Sequence, residues 1–355
     1  MKLNKIFAIA LCALCFTACS DDDDEPKQSV TPGFFSGKTV LVLNQGNQRS
    51  NIPGSFSSIN LQNGTVDNDV FYNANGRVLG DTPQDAIVYG NKMYVGVTDS
   101  NIIDIINPTT MKSIKTIKPS GEGNSPRDLA AKDGFVYISM MNGYVARLDT
   151  LTLEIDKTIK VGPNTEEIGI AGNYLYAANS DGYNGSNNYC DGYVSKINLS
   201  TFTEDAKIKA GWNTTRLVTN GEDVFVICTG NYTTVASVLK RINSDDSVEE
   251  LFPATHMAIC GNKLYTINSP FYATEPPTYC LYTISDNKKT ELNIENIITP
   301  IAIGIEPISG DIFIASYSST DYSSYTQPCF VNQYNATGTF LKKYDVGIGA
   351  GCFVF

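Results

Sequence analysis

The 355-residue sequence predicts an all-β fold: a seven-bladed β-propeller of four-stranded blades, closed by a C-terminal strand that joins blade one. Three observations carry this. A tight turn followed by an apolar strand with one aromatic at a fixed place recurs as "YGNKMYVGV", "KDGFVYISM", "AGNYLYAAN", "NGEDVFVIC", "CGNKLYTIN" and "ISGDIFIAS". No stretch of ten or more residues keeps a helical apolar period. The chain ends on a strand-like orphan, "GAGCFVF", whereas the first copy of the phrase, "GKTVLVLNQ", lacks the strand that precedes the others.

Taken in order, residues 1–18 read as a secretory signal: Lys2 and Lys5, the apolar run "IFAIALCALCF", then the small residues Thr17 and Ala18. Cys19 follows at once, the position at which a bacterial lipoprotein is acylated and cut. The run "SDDDDE" behind it cannot fold on itself, because like charges in a block repel. Residues 19–37 are therefore a flexible, lipidated, acidic tether, and the propeller occupies residues 38–355. Cys19 followed by acids also resembles the export signal of Bacteroidetes surface lipoproteins. That resemblance implies anchorage in the outer membrane with the domain on the extracellular face, and membrane contact only through lipid.

Charge and composition narrow the partners. Cleavage removes two lysines and no acid, so the net charge of −11 becomes −13, which argues against nucleic acid and anionic headgroups. A single His leaves little room for histidine-based metal or acid–base chemistry. Six cysteines remain in the ring (Cys190, Cys228, Cys260, Cys280, Cys329 and Cys352) at spacings that fit no zinc pattern. Several sit in apolar strand runs, so buried thiols and disulfides both stay open.

The repeat sets the architecture. Its aromatics, Tyr94, Tyr137, Tyr176, Phe225, Tyr265 and Phe313, fall at intervals of 43, 39, 49, 40 and 48 residues. Before each turn lies another apolar strand ("PQDAIV", "PRDLAA", "TEEIGIA", "TTRLVT", "THMAI", "PIAIGIE"). After each comes a third, ending in a polar turn such as "IDIINPTTMK" or "VARLDTLTLE", and a more polar fourth closes the unit. Four short strands per 40–50 residues make a propeller blade. The orphan "CFVF" supplies the inner strand of blade one and removes an exposed edge. These phrases resemble the YncE-like family of seven-bladed propellers over nearly everything after Gly37. The matching residues build blades, so the aromatics and the "IN" and "LD" turns read as scaffold.

Strand order sorts the loops. With strands A to D running from axis to rim, A–B and C–D turns share one face, and B–C and D–A loops share the other. The first face is short and repetitive. The second carries "NQGNQRSNIPGS", "NSDGYNGSNNYCDGY", "NSPFYATEPPTYC" and "SYSSTDYSSYTQPC". The expected ligand-binding residues are assigned to these loops: Arg49, Arg127, Tyr183, Tyr189, Trp212, Arg216, Tyr232, His256, Phe271, Tyr272, Tyr279, Tyr317, Tyr322 and Tyr325. Tyr gives contact area at low entropy cost, and Ser, Asn and Gly hydrogen-bond in many directions. Asp85, Asp128, Glu166 and Glu167 lie near the same face without any motif pairing them, and acids at the start of strand A are often structural. Asp191 beside "NSDGYNG" offers a calcium reading, but without an EF-hand pattern. No catalytic set assembles around His256, so no enzyme, metal or resident cofactor is expected.

A lipidated, surface-directed seven-bladed propeller also resembles the BtuG cobalamin-capturing lipoproteins, through "FTACSDDDDE", the seven units and the aromatic-polar loop face. That resemblance implies a monomeric propeller that captures a corrinoid (vitamin B12) and hands it to a TonB-dependent outer-membrane transporter. The chemistry is compatible. Aromatic rings pack on a macrocycle, amides and hydroxyls pair with its carboxamides, and Arg49, Arg127 or Arg216 would meet its phosphate. The same toolkit suits a glycan or an adhesive contact. A lactonase would need clustered acids and a metal at the axis.

Overall fold

The structure is a computed structural model that describes residues 35–182, 184–271 and 275–355. Cys19 and most of the residues expected to form the signal and tether lie outside the described residues, as do Tyr183 and Tyr272. The described residues form seven four-stranded antiparallel sheets. Blade 2 shows the pattern: β4 (Pro83–Tyr89), β5 (Lys92–Val97), β6 (Ile102–Ile106) and β7 (Ser113–Ile117), paired in that order. The other innermost strands are β8 (Pro126–Lys132), β12 (Thr165–Ala171), β16 (Thr214–Thr219), β20 (His256–Cys260), β24 (Thr299–Ile305) and β28 (Ala350–Val354). Each touches the next, and β24 touches β28, which touches β4, so the ring is closed.

Closure is made as the orphan strand required. β28 pairs antiparallel with β1 (Thr39–Asn44), setting Leu41 opposite Val354 and Leu43 opposite Cys352. Phe353 and Phe355 pack on Phe313 of blade 7, with ring centroids 6.2 and 5.6 Å away. The two chain ends thus staple blades 7 and 1 together.

Between blades lies the core. The repeat aromatics are all buried, Tyr94, Phe225 and Phe313 completely so. Burial of each such ring stabilises the fold by about 1.5–3 kcal/mol. The polar turns are scaffold too. Asn60, Asn107, Asp149, Asn198 and Asn335 each accept hydrogen bonds through a side-chain oxygen from backbone N–H groups two or more residues on. These Asx turns fix the C–D corners.

Blade 1 departs from the pattern. Its rim strand β3 is only Val66–Asp67, and the chain then forms the one-and-a-half-turn helix α1 (Val70–Asn75) before entering blade 2. Phe71 anchors the helix in the blade 1–2 core. Gly76 ends it at φ 67°, a conformation that costs a glycine little.

Candidate ligand-binding site

The B–C and D–A loops build the face on two aromatic mounds. The first rises over blades 4 and 5. Tyr189 and Tyr232 meet edge to face with centroids 5.5 Å apart. Asn213 Nδ2 donates to the Tyr232 hydroxyl at 3.3 Å, and Gly230 N donates to the carbonyl of half-buried Trp212 at 3.1 Å. Tyr189, Asn213 and Tyr232 all have left-handed backbones, at φ 56°, 56° and 62°. Asn adopts that region readily, but for the two tyrosines it costs about 1–2 kcal/mol each, so this mound stores strain where its aromatics meet.

The second mound stands over blade 7. A 3-10 turn (Tyr322–Thr326), capped by Asp321, sets Tyr325 edge to face against Tyr317 and Tyr322, with centroids 4.8 and 5.8 Å away. Asn47 of the blade 1 loop donates to the Tyr325 carbonyl at 3.1 Å and ties the two loops. Tyr322 is 74% exposed and Phe271, on the blade 6 loop, 62%. Blades 2 and 3 have short loops, so the face is open on that side. A cleft of about 280 Å³ lies there between Pro53, Phe71, Tyr72 and Val78. That cleft is too small to enclose a macrocycle.

The floor comes from the innermost strands. In β4, β8, β12, β16 and β24 the register with the second strand slips at the same place, between Pro83 and Asp85, for example, and between Pro126 and Leu129. Such a bulge re-aims the side chains it carries. The first residues turn toward the loops. Gln84 accepts from Gln45 at 3.1 Å, Arg127 pairs with Glu166, and Thr215 meets Thr229 at 2.5 Å. Glu166 accepts from Asn164 and Ser180 as well. The following residues, Asp85, Asp128, Glu167, Arg216, His256, Ile301 and Cys352, occupy one level around the axis, and all are half-buried.

Several expected site residues change place. Arg127, Arg216 and His256 were assigned to loops, but they belong to the innermost strands β8, β16 and β20, Arg127 turned toward the loop face and Arg216 and His256 at the axial level. Tyr279 is not a loop residue either. β22 (Thr278–Thr283) begins one residue before it, and the ring is 7% exposed among Tyr265, Ile312 and Ile314. Tyr317 ends β25 (Ile312–Tyr317) and is half-buried against Tyr325. Trp212, Tyr189, Tyr232, Phe271, Tyr322 and Tyr325 do lie in the loops, and Arg49 is exposed in the blade 1 loop.

Both guanidiniums of the floor are paired. Arg216 pairs with Glu167 at 2.9 Å, as Arg127 does with Glu166, so Arg49 is the cation best placed to meet an anion. Burial, with the Arg216 guanidinium beside it, pushes His256 well below its ordinary range, so the ring is neutral at neutral pH. In the blade 4 loop, Asn187 Nδ2 donates to both Asp181 and Asp191, at 2.9 and 3.1 Å. Among the described residues no three His, Cys, Asp or Glu side chains gather as metal ligands, and the six ring cysteines form no disulfide.

Gln45, Gln84, Thr215 and Asn164 were missed by the sequence reading. The signal was available: aligning "PQD", "PRD", "TEE", "TTR" and "ATH" shows two adjacent polar positions repeated at the head of strand A.

Comparison with known proteins agrees with the geometry. Hydrazine synthase of Kuenenia stuttgartiensis superposes with a TM-score of 0.58 at 13% identity, over 80% of this chain and 90% of that one. The computationally designed Ika8 protein superposes at 0.57 and 11% identity, over 88% of this chain and 86% of that one. At such identities these likenesses concern the fold alone. No curated protein matches the chain. Residues 38–287 match the model of a domain of unknown function, DUF5074, and the chain is a propeller of that family.

Proposed function

We propose that this protein captures a corrinoid outside the cell, on a lipid leash at Cys19, and passes it to a TonB-dependent outer-membrane transporter. The observation that supports this reading best is the pairing of two aromatic mounds with a polar floor whose guanidiniums are already neutralised. A corrinoid is a broad macrocycle fringed with carboxamides. Trp212, Tyr232 and Tyr322 offer rings to its apolar surface, and Gln45, Gln84 and Thr215 offer donors and acceptors to its amides. Arg49 is the residue for its single phosphate. A second reading, a glycan, is favoured by the exposure of Tyr322, since sugars stack on exposed aromatic rings.

The test is calorimetry of the unlipidated domain with cyanocobalamin and a panel of capsule and mucin glycans, no metal added. Cobalamin should bind with a nanomolar constant or better, about −12 kcal/mol. Heat from a glycan and none from cobalamin overturns the corrinoid reading.

A further inference from the structure

At the axis the same tie is made three times. Asp85 Oδ2 accepts from Leu129 N of the next blade at 3.0 Å, Asp128 Oδ2 from Ile168 N at 2.7 Å, and Glu167 Oε2 from Leu217 N at 3.0 Å. Each carboxyl thereby fastens its own strand to the neighbouring one, linking blades 2, 3, 4 and 5 in series. The series stops at blade 5, where the equivalent residue is Arg216, which cannot accept and reaches back to Glu167. At the other end, Cys352 Sγ donates to Asp85 Oδ1 at 3.2 Å, bringing in blade 1.

The charges around these ties do not balance. The groups facing one another are Cys352 on β28, Asp85 on β4, Arg127 and Asp128 on β8, Glu166 and Glu167 on β12, Arg216 on β16 and His256 on β20; Ile301 on β24 is apolar. Arg127 answers Glu166 and Arg216 answers Glu167. Asp85 and Asp128 are left with backbone and thiol donors and no ion pair of their own; Arg127 lowers Asp128 only slightly against burial, Asp85 and Glu167. Two half-buried carboxylates side by side near a third cannot all ionise cheaply.

We propose that Asp85 and Asp128 form a proton-dependent clasp at the ring axis: with a proton held there the inter-blade ties are undisturbed, and its loss as pH rises sets blades 2, 3 and 4 against one another. Asp128 makes its tie through Oδ2, so Oδ1 can carry the proton without breaking it. Gln84, Arg127 and Glu166 immediately precede the three tying residues, so the floor of the loop face rides on the clasp whatever ligand it holds.

Burial, with some help from Glu167, raises the Asp85 carboxyl to about 6. Burial, Asp85 and Glu167 hold Asp128 well above the ordinary range. Below the ordinary carboxylate range both groups are neutral, folded or unfolded, and the stabilisation is complete. As pH rises the unfolded chain ionises first, and stability falls until the folded groups ionise too.

Thermal unfolding without ligand tests this across about pH 5 to pH 8, independently of the corrinoid reading. The melting temperature of the wild-type chain should fall with pH by roughly 2 °C per unit for each proton held. Asp128→Asn keeps an oxygen for Ile168 N and should lose its share of the fall, so that its melting temperature rises relative to wild type across the range. Asp85→Asn should remove the part of the fall that ends near pH 6. Asp67→Asn, which deletes an equal charge at the exposed rim, should keep the wild-type slope. Parallel falls in wild type and Asp128→Asn overturn the clasp, as does an equal loss for Asp128→Asn at both ends of the range. Infrared spectra of the wild-type chain give a measurement that survives misfolding of a variant. A protonated-carboxyl band should persist above the ordinary carboxylate range and bleach as pH rises further, and its absence above that range refutes the proposal.

Discussion

Two glycine-to-alanine substitutions in strand interiors should change stability in opposite directions. Gly96 lies in β5 with an ordinary backbone, buried where blade 2 meets blade 3. A methyl group added there would meet Leu129 Cδ1 and the Pro126 carbonyl oxygen at 3.5 Å, which is normal contact. Gly304, in β24, also has an ordinary backbone, but its added methyl would stand 2.8 Å from Phe353 Cδ2 and 2.9 Å from Phe353 Cβ. The Phe353 ring is held between Phe313 and Phe355 and cannot swing away. Gly96→Ala gains about 0.4–1 kcal/mol from a less free unfolded chain and about 0.8 kcal/mol from one buried methyl, so about 1.5 kcal/mol in all. Gly304→Ala gains the same chain entropy but overpacks a filled site at about 1–3 kcal/mol, for a net loss. Urea unfolding followed by circular dichroism, with Trp212 fluorescence as a second probe, reads both as midpoint shifts at unchanged slope. A lower midpoint for Gly96→Ala means the blade 2–3 gap is tighter than described. A neutral Gly304→Ala removes Phe353 from the closing contact, and with it the account of how blades 7 and 1 are stapled.

On the loop face, Trp212→Ala, Tyr232→Ala and Tyr322→Ala should between them include at least one loss of about 2 kcal/mol in cobalamin binding, around thirtyfold. Leu151→Ala, 79% exposed on the opposite face, should bind normally; three unaffected aromatic variants beside a defective Leu151→Ala would put the site on the wrong side of the ring. Cys19→Ala should shed the protein from membrane fractions. Neutralising residues 21–25 should leave it anchored yet shielded from protease added to intact cells, and continued shaving would reduce the acids to a spacer.

The blades could be counted without coordinates because a blade is a local object. Its strands are neighbours in sequence, its period-two burial follows from the chain's own alternation, and its corners are set by Asx turns such as that of Asn107. The closing strand was legible for the same kind of reason: an unpaired edge at one end and a missing strand at the other have one joint solution. The helix at Val70–Asn75 was not legible, since six residues are too few to show a period and only the anchoring of Phe71 in the core commits them.

Sequence by itself determined the blade number, the order of strands from axis to rim and which loops share a face. It also supplied the aromatic and amide-bearing residues of those loops. Tertiary structure decided which of them meet. Tyr279 left the candidate site because β22 starts one residue earlier and turns its ring inward. Tyr189 and Tyr232, 43 positions apart, became an edge-to-face pair only when two adjacent blades brought their loops together. The axis is the extreme case. Asp85, Asp128, Glu167 and Arg216 come one from each repeat and gain one another as neighbours only through ring closure, which no local pattern encodes. Whether each finds a cation or a backbone donor depends on ångström-scale geometry across blades, and that geometry exists only in the folded ring.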